Sequence, residues 1–190
     1  MILPASNKFI SHAINNLKNG KVIVYPTDTI YGFGVDATNT NAIKKLNYIK
    51  KRITPLSIIV SSFNDIANFG YLNSNQKEIL LKYLPGPYTF LIRKKKSSLS
   101  ELVTLDSAKV GVRIPDSKFC MLLTSELGPI ITTSVNQHKN KSINDPVIIN
   151  NTIKDINIYS SGLQLKTTSS TIIDISNDKM DIIRTGGGKI

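Results

Sequence analysis

Apolar residues Phe9, Ile10, Ala13, Ile14 and Leu17 recur three or four positions apart behind Ser6, and Asn19-Gly20 closes the run. That spacing predicts a first helix, capped by Ser6 and stopped at the glycine. Residues 21–25, rich in β-branched side chains and ended by Pro26, read as a short buried strand followed by a polar turn. Ala42, Ile43, Leu46 and Ile49 restore the helical period across 41–49, after which 55–61 returns to an apolar strand. The alternation continues with a short helix at 65–69, a helix at 75–84 halted by Pro85-Gly86-Pro87, and a strand at 88–93. A basic, serine-rich loop fills 94–101, and strand 110–114, helix 117–127 and strand 130–134 follow. Pro146 fits the first position of a helix running to 154, and strands are expected at 156–159, 171–175 and 181–184, with Gly186-Gly187-Gly188 fraying. Strands interleaved with helices, without repeat or linker, predict the α/β class: a single domain over 1–190 with a twisted mixed β-sheet and flanking helices.

Composition narrows the class. With 41% apolar and 19% charged residues, a chain of 190 residues can bury one substantial core and is not disordered. Its longest apolar runs, 22–25 and 58–60, fall far short of the roughly 20 residues that cross a bilayer, so no membrane contact is expected. The N-terminal residues lack the basic and long apolar regions of a secretory signal, which predicts a cytoplasmic location. One cysteine and two histidines leave no intramolecular disulfide, no cysteine-rich zinc module and poor material for a protein-built metal site. The 24 basic against 13 acidic side chains, a net +11, point to a polyanionic partner such as nucleic acid or a phosphorylated substrate. Compositional drift is the other reading, since Lys, Asn and Ile abound throughout, as in an A+T-rich genome.

Four segments offer chemistry. Thr27-Asp28-Thr29-Ile30-Tyr31 leaves the C-terminal end of a strand, where open α/β sheets place ligands, and supplies hydroxyls and a carboxylate. The same residues suit a side-chain-stabilised turn. Tyr31-Gly32-Phe33-Gly34 is no dinucleotide fingerprint, because it lacks the third glycine. Lys50-Lys51-Arg52, if extended, puts Lys50 and Arg52 on one face, where they converge on a phosphate chain; if helical, it points them apart. A solvated basic helix end is the plain alternative. Thr132, Ser134 and Asn136 share one face of a strand end and suit a nucleotide or a Mg2+-bound phosphate. Arg113, inside an apolar strand, needs a partner, either an internal carboxylate or a substrate carboxylate. Ser169-Ser170-Thr171 adds hydroxyls and Arg184 a further cation near strand ends. Lys94-Lys95-Lys96 reads as a solvated loop and Cys120 as a packing residue.

In order along the chain these segments resemble one family over nearly the whole length, the TsaC/YrdC/Sua family of L-threonylcarbamoyladenylate synthases. Pro26-Thr27-Asp28-Thr29-Ile30-Tyr31-Gly32 is similar to its P-T-[DE]-T-x-Y-G opening, Lys50-Lys51-Arg52 to its K-x-R, and Ser134-Val135-Asn136 to its S-x-N. Pro85-Gly86-Pro87-Tyr88-Thr89, Val112-Arg113-Ile114-Pro115, Ser170-Thr171-Ile172-Ile173-Asp174 and Ile183-Arg184-Thr185-Gly186 fall in the order of its further blocks. Departures are Val135 in place of a small residue, Thr185 in place of proline, and His138-Lys139 in place of Ser-Gly.

The resemblance implies a YrdC-like catalytic domain with a basic concave site and no second C-terminal domain. It implies a nucleotidyltransferase that condenses L-threonine, bicarbonate or CO2, and ATP with Mg2+ into threonylcarbamoyl-AMP and pyrophosphate, for threonylcarbamoyladenosine modification of tRNA. By motif, Lys50, Arg52, Ser134, Asn136, Ser142 and Arg184 would hold ATP, Lys50 and Arg52 being catalytic. Thr29, Tyr31, Arg113, Thr132 and Ser170 would hold threonine. No residue is assigned to a metal, and Mg2+ would arrive with ATP. The product would pass to a tRNA threonylcarbamoyl-transferase complex, and the basic surface would bind tRNA weakly. From the residues themselves, neither histidine sits in an acid–base constellation and no serine or cysteine has an activating base, so positioning and charge neutralisation must carry the reaction. A non-catalytic RNA-binding module of the same fold is the alternative. The related hydrogenase-maturation carbamoyltransferases carry cysteine-rich zinc segments that one cysteine cannot build.

Overall fold

The chain runs through β1 (Ile2–Pro4), α1 (Ile10–Lys18), β2 (Ile23–Pro26), β3 (Tyr31–Asp36), α2 (Thr40–Lys50), β4 (Ser57–Ile59), α3 (Phe63–Ile66), β5 (Gly70–Tyr71) and α4 (Ser74–Tyr83). It continues through β6 (Tyr88–Lys94), α5 (Glu101–Thr104), β7 (Lys109–Arg113), α6 (Lys118–Leu127), β8 (Ile130–Ser134), α7 (Pro146–Thr152), β9 (Asn157–Ser160), β10 (Thr171–Asp174) and β11 (Asp181–Arg184). This computed structural model describes residues 1–190 except 137–139, 163–164, 166–167 and 178, so His138 and Lys139 lie outside the described residues.

Among the described residues one eleven-stranded sheet has the order β1-β9-β2-β3-β8-β4-β7-β6-β10-β11, with β5 pairing β6. It is mixed: β4 and β7 are parallel, as are β6 and β10, whereas β3, β8 and β4 run antiparallel in succession. Period-two alternation covers both faces. Ile23 and Tyr25 of β2 pack with Leu17 of α1 and Phe119 and Cys120 of α6, while Val24 packs with Ile43 and Leu46 of α2 on the opposite face. Side-chain caps start the helices: Asn39 accepts from Ala42 N for α2, Asn73 and Gln76 form a capping box for α4, and Ser117 caps α6.

Four features depart from the pattern. Ser6 caps nothing through its side chain, and a 3-10 turn over Asn7–Phe9 leads into α1. β3 occupies the stretch expected as a turn, buried from Tyr31 to Val35, because its glycines admit neighbours: a Cβ at Gly34 would lie 2.4 Å from the Tyr25 ring. β1, β5 and the one-turn α5 are too short to leave a periodic signal, and α5 begins where the expected basic loop ends, ahead of the strand expected from 110. The terminal glycines do not fray. Gly186 N and Gly188 N both donate to Thr171 Oγ1, and a Cβ at Gly188 would fall 2.2 Å from the Tyr88 ring.

Candidate active site

Neighbouring strand ends bring hydroxyls together by register. Gly32 of β3 faces Ser134 of β8, Thr132 of β8 faces Ser57 of β4, Ser57 faces Gly111 of β7, and at the far side Thr89 of β6 faces Ile172, which faces Arg184. The result is a cavity of about 380 Å³ over the sheet. Two glycines make room for it: a Cβ at Gly32 would lie 2.9 Å from Thr132 Oγ1, and one at Gly111 would lie 2.5 Å from Ser57 Oγ.

Among the described residues, Arg52, Arg113 and Arg184 supply the positive charge of the wall, and no lysine lines it. Arg113 is buried and paired with Asp28, and its Nη1 donates to Thr29 Oγ1 at 3.0 Å. Of the two expected partners, the internal carboxylate is the one present in this structure. Among the described residues, Arg113 Nε and Asp28 Oδ2 have no hydrogen-bond partner although both are buried. Thr29 in turn contacts Thr27 Oγ1 at 2.9 Å, and Thr27 Oγ1 also donates to Ile30 O, so the turn is rigid from within. Arg184 donates to Ser170 O through Nε and Nη2, and Ser170 Oγ contacts Thr89 Oγ1 at 2.8 Å. Burial and, secondarily, the positive charge of Arg113 lower the Arg184 pKa, the pattern of a site built to receive negative charge.

Lys50 stands elsewhere than expected. Helix α2 continues through Lys50, and Lys51 caps it in the left-handed conformation, so the extended geometry that aligns Lys50 with Arg52 does not occur. The buried Lys50 ammonium donates to Ser134 O at 2.6 Å, Asn136 O at 3.1 Å and Asn136 Oδ1 at 3.0 Å, all three donors being engaged. It lies behind the wall rather than in it. Ser134 Oγ donates to the same Asn136 Oδ1 at 2.6 Å. Burial, followed by the charge of Arg52, lowers the Lys50 pKa to about 8. Arg52 itself is exposed, with Nε donating to Thr54 Oγ1.

Thr29, Tyr31, Arg52, Arg113, Thr132, Ser134, Asn136, Ser142, Ser170 and Arg184 all border the cavity, so the expected set converges except for Lys50. The Tyr31 hydroxyl points to Ser160 and Ser161, each at 3.2 Å. Thr27 and Asp28 lie in the first candidate segment but carried no ligand assignment, and Ser57 and Thr89 were not among the expected site residues. Asp28 and Thr89 sit inside quoted motifs, but only the fold reveals that they hold Arg113 and Ser170. Burial pushes the Cys120 thiol up to about 12, in keeping with packing. Among the described residues no group of three His, Cys, Asp or Glu side chains could hold a metal, and no helix is long and apolar enough to cross a membrane.

Residues 15–186 match the family model described as "Telomere recombination", which joins Sua5, YciO and YrdC. The chain belongs to the Sua5–YciO–YrdC family. A Methanocaldococcus jannaschii relative, provisionally named a threonylcarbamoyl-AMP synthase, is 34% identical over 186 residues, covering 94% of this chain and 86% of that one. The Bacillus subtilis threonylcarbamoyl-AMP synthase is 27% identical over 194 residues, 97% of this chain but only 55% of the other. P. abyssi Sua5, solved with L-threonine, superposes with a TM-score of 0.88 at 25% identity over 98% of this chain, which spans 58% of that protein. The mixed, twisted sheet with flanking helices is thus the family's fold.

Proposed function

We propose that this member of the Sua5–YciO–YrdC family is an L-threonylcarbamoyladenylate synthase, forming threonylcarbamoyl-AMP and pyrophosphate from L-threonine, bicarbonate or CO2, and ATP. The observation that carries the reading is one cavity in which three arginines face a cluster of buried hydroxyls, in a chain whose relatives are named for this reaction. Arg113, fixed by Asp28, would meet the threonine carboxylate, with Thr29, Thr132 and Ser170 around its side chain. Arg52 and Arg184 would neutralise phosphates, and Ser134 and Asn136, held by Lys50, would seat the nucleotide.

In this reading the threonine amine attacks the carbon of CO2 and loses a proton, giving a carbamate. A carbamate oxygen then attacks the α-phosphorus as the bond to pyrophosphate breaks. The nucleophile is intrinsically reactive, so alignment and charge neutralisation account for the acceleration without a covalent intermediate on the protein. Mg2+ enters as part of the nucleotide substrate: among the described residues no carboxylate lines the cavity, and Asp28 beside it is engaged by Arg113, so the described wall offers hydroxyls and amides. Hand-over of the product to a tRNA-modifying transferase follows from the same reading. Incubation of the purified chain with ATP, Mg2+ and bicarbonate tests it: pyrophosphate release should require threonine. Release independent of threonine, or none, contradicts it.

The reading as an RNA-binding module has one observation in its favour: among the described residues every lysine lies outside the cavity lining, so ATP binding does not explain most of the net +11. That charge calls for a separate account.

A further inference from the structure

Beyond the cavity, a groove of about 710 Å³ opens beside the C-terminal half of α2, where the start of β2 meets the connection from α7 to β9. Its floor is aliphatic, formed by Val22, Ile49 and Ile156. Its rim carries Lys21, Lys44, Lys45 and Lys154 against one carboxylate, Asp155. None of the four lysines forms an ion pair among the described residues. Tyr48 stands at the edge, 85% exposed, an aromatic surface whose burial in a partner would be favourable. The groove and the cavity share no lining residue, although α2 runs between them.

We infer that this groove docks an acidic, amphipathic peptide segment of another protein, with an apolar side chain in the cleft and carboxylates on the lysines. Charge complementarity decides the sign of the partner, because four cations around an apolar floor repel a basic segment and hold an acidic one. The floor decides its class. Single-stranded nucleic acid is held by aromatic platforms in series, whereas here one tyrosine borders an aliphatic cleft of a size that takes peptide side chains. The groove therefore accounts for a block of positive charge that the cavity leaves unexplained. It does not depend on the reaction proposed above.

Three probes test the inference by fluorescence anisotropy: a labelled peptide alternating glutamate and leucine, a poly-glutamate peptide, and single-stranded RNA. The glutamate–leucine peptide should bind saturably and weaken with added salt, and poly-glutamate should bind at least about tenfold more weakly for want of an apolar anchor. Lys44→Glu/Lys154→Glu should raise the peptide Kd at least about tenfold and Tyr48→Ala several-fold, with thermal unfolding unchanged because all three side chains are exposed. The inference is overturned if the glutamate–leucine peptide does not bind saturably, if the charge reversal leaves its Kd unchanged, if poly-glutamate binds as well, or if RNA binds the same lysines more tightly.

Discussion

The ammonium of Lys50 holds both the carbonyl oxygen and the side-chain oxygen of Asn136, at 3.1 and 3.0 Å. With its third donor on Ser134 O, it fixes the turn that presents Ser134 and Asn136 to the cavity. A buried lysine is stable there only because all three protons are accepted.

Lys50→Met should therefore cut adenylate formation mainly through a raised KM for ATP, because it loosens the turn without touching the nucleotide. Lys50→Arg should not restore it, since a planar fork cannot reach three convergent oxygens. Steady-state kinetics with ATP varied separate this from direct phosphate contact, which would lower kcat most.

The same lysine sets a pH limit. Its pKa lies near 8, below the ordinary value of 10.5, so the charged form predominates below pH 8 and one of three donors is lost above it. Activity should fall as pH rises through about 8. Stability should move the other way. Between about 8 and 10.5 the unfolded chain binds the proton that the folded chain has released, so this group's contribution to stability rises with pH. A pH–rate profile and urea midpoints on wild type and Lys50→Met check both signs, and the variant should lose the alkaline limb.

Asp28 and Arg113 form a pair that is nearly withdrawn from solvent, their side chains only 10% and 5% exposed. Asp28→Ala leaves a buried guanidinium uncompensated and should destabilise the fold by about 3–5 kcal/mol, whereas Arg113→Lys should keep much of the stability and lose activity with the fork. Denaturant unfolding alongside threonine KM measures the two effects separately.

Arg52 gives the contrasting case. It is exposed and outside the core, so Arg52→Ala should leave unfolding unchanged while lowering turnover by about a hundredfold, the effect of one lost charge-assisted contact to a transferring phosphate. Wild-type turnover in the folded variant would remove Arg52 from the phosphate clamp.

Side-chain selection follows from the hydroxyl cluster. Serine, lacking one methyl, should react about tenfold to two hundredfold less efficiently than threonine. Valine should do worse because its second methyl puts an apolar group against the polar hydroxyl cluster and forgoes the hydrogen bond that the threonine hydroxyl makes there. Equal kcat/KM for threonine and valine would show that Thr29, Thr132 and Ser170 do not read the substrate.

Much of this was legible in the sequence because the helices and the central strands carry strong periods and the cavity is built from strand ends. Thr132, Ser134 and Asn136 share a face by period alone. What was not legible depends on contacts across the sheet. The glycines of β3 look like turn residues until Tyr25 and Thr132 are seen to occupy the space of their missing side chains. Whether Lys50 joins Arg52 rests on a single residue, Lys51, taking the left-handed conformation, which no spacing rule foretells. The terminal glycines looked free because their partners, Thr171 and Tyr88, lie far away in the chain.

The most direct test is chromatographic detection of the product itself after incubating the chain with ATP, Mg2+, bicarbonate and L-threonine. The account predicts threonylcarbamoyl-AMP in amounts matching pyrophosphate, absent when either threonine or bicarbonate is withheld and strongly reduced in Arg52→Ala. Pyrophosphate formed without that adduct, or an adduct yield unaffected by omitting threonine, would contradict it.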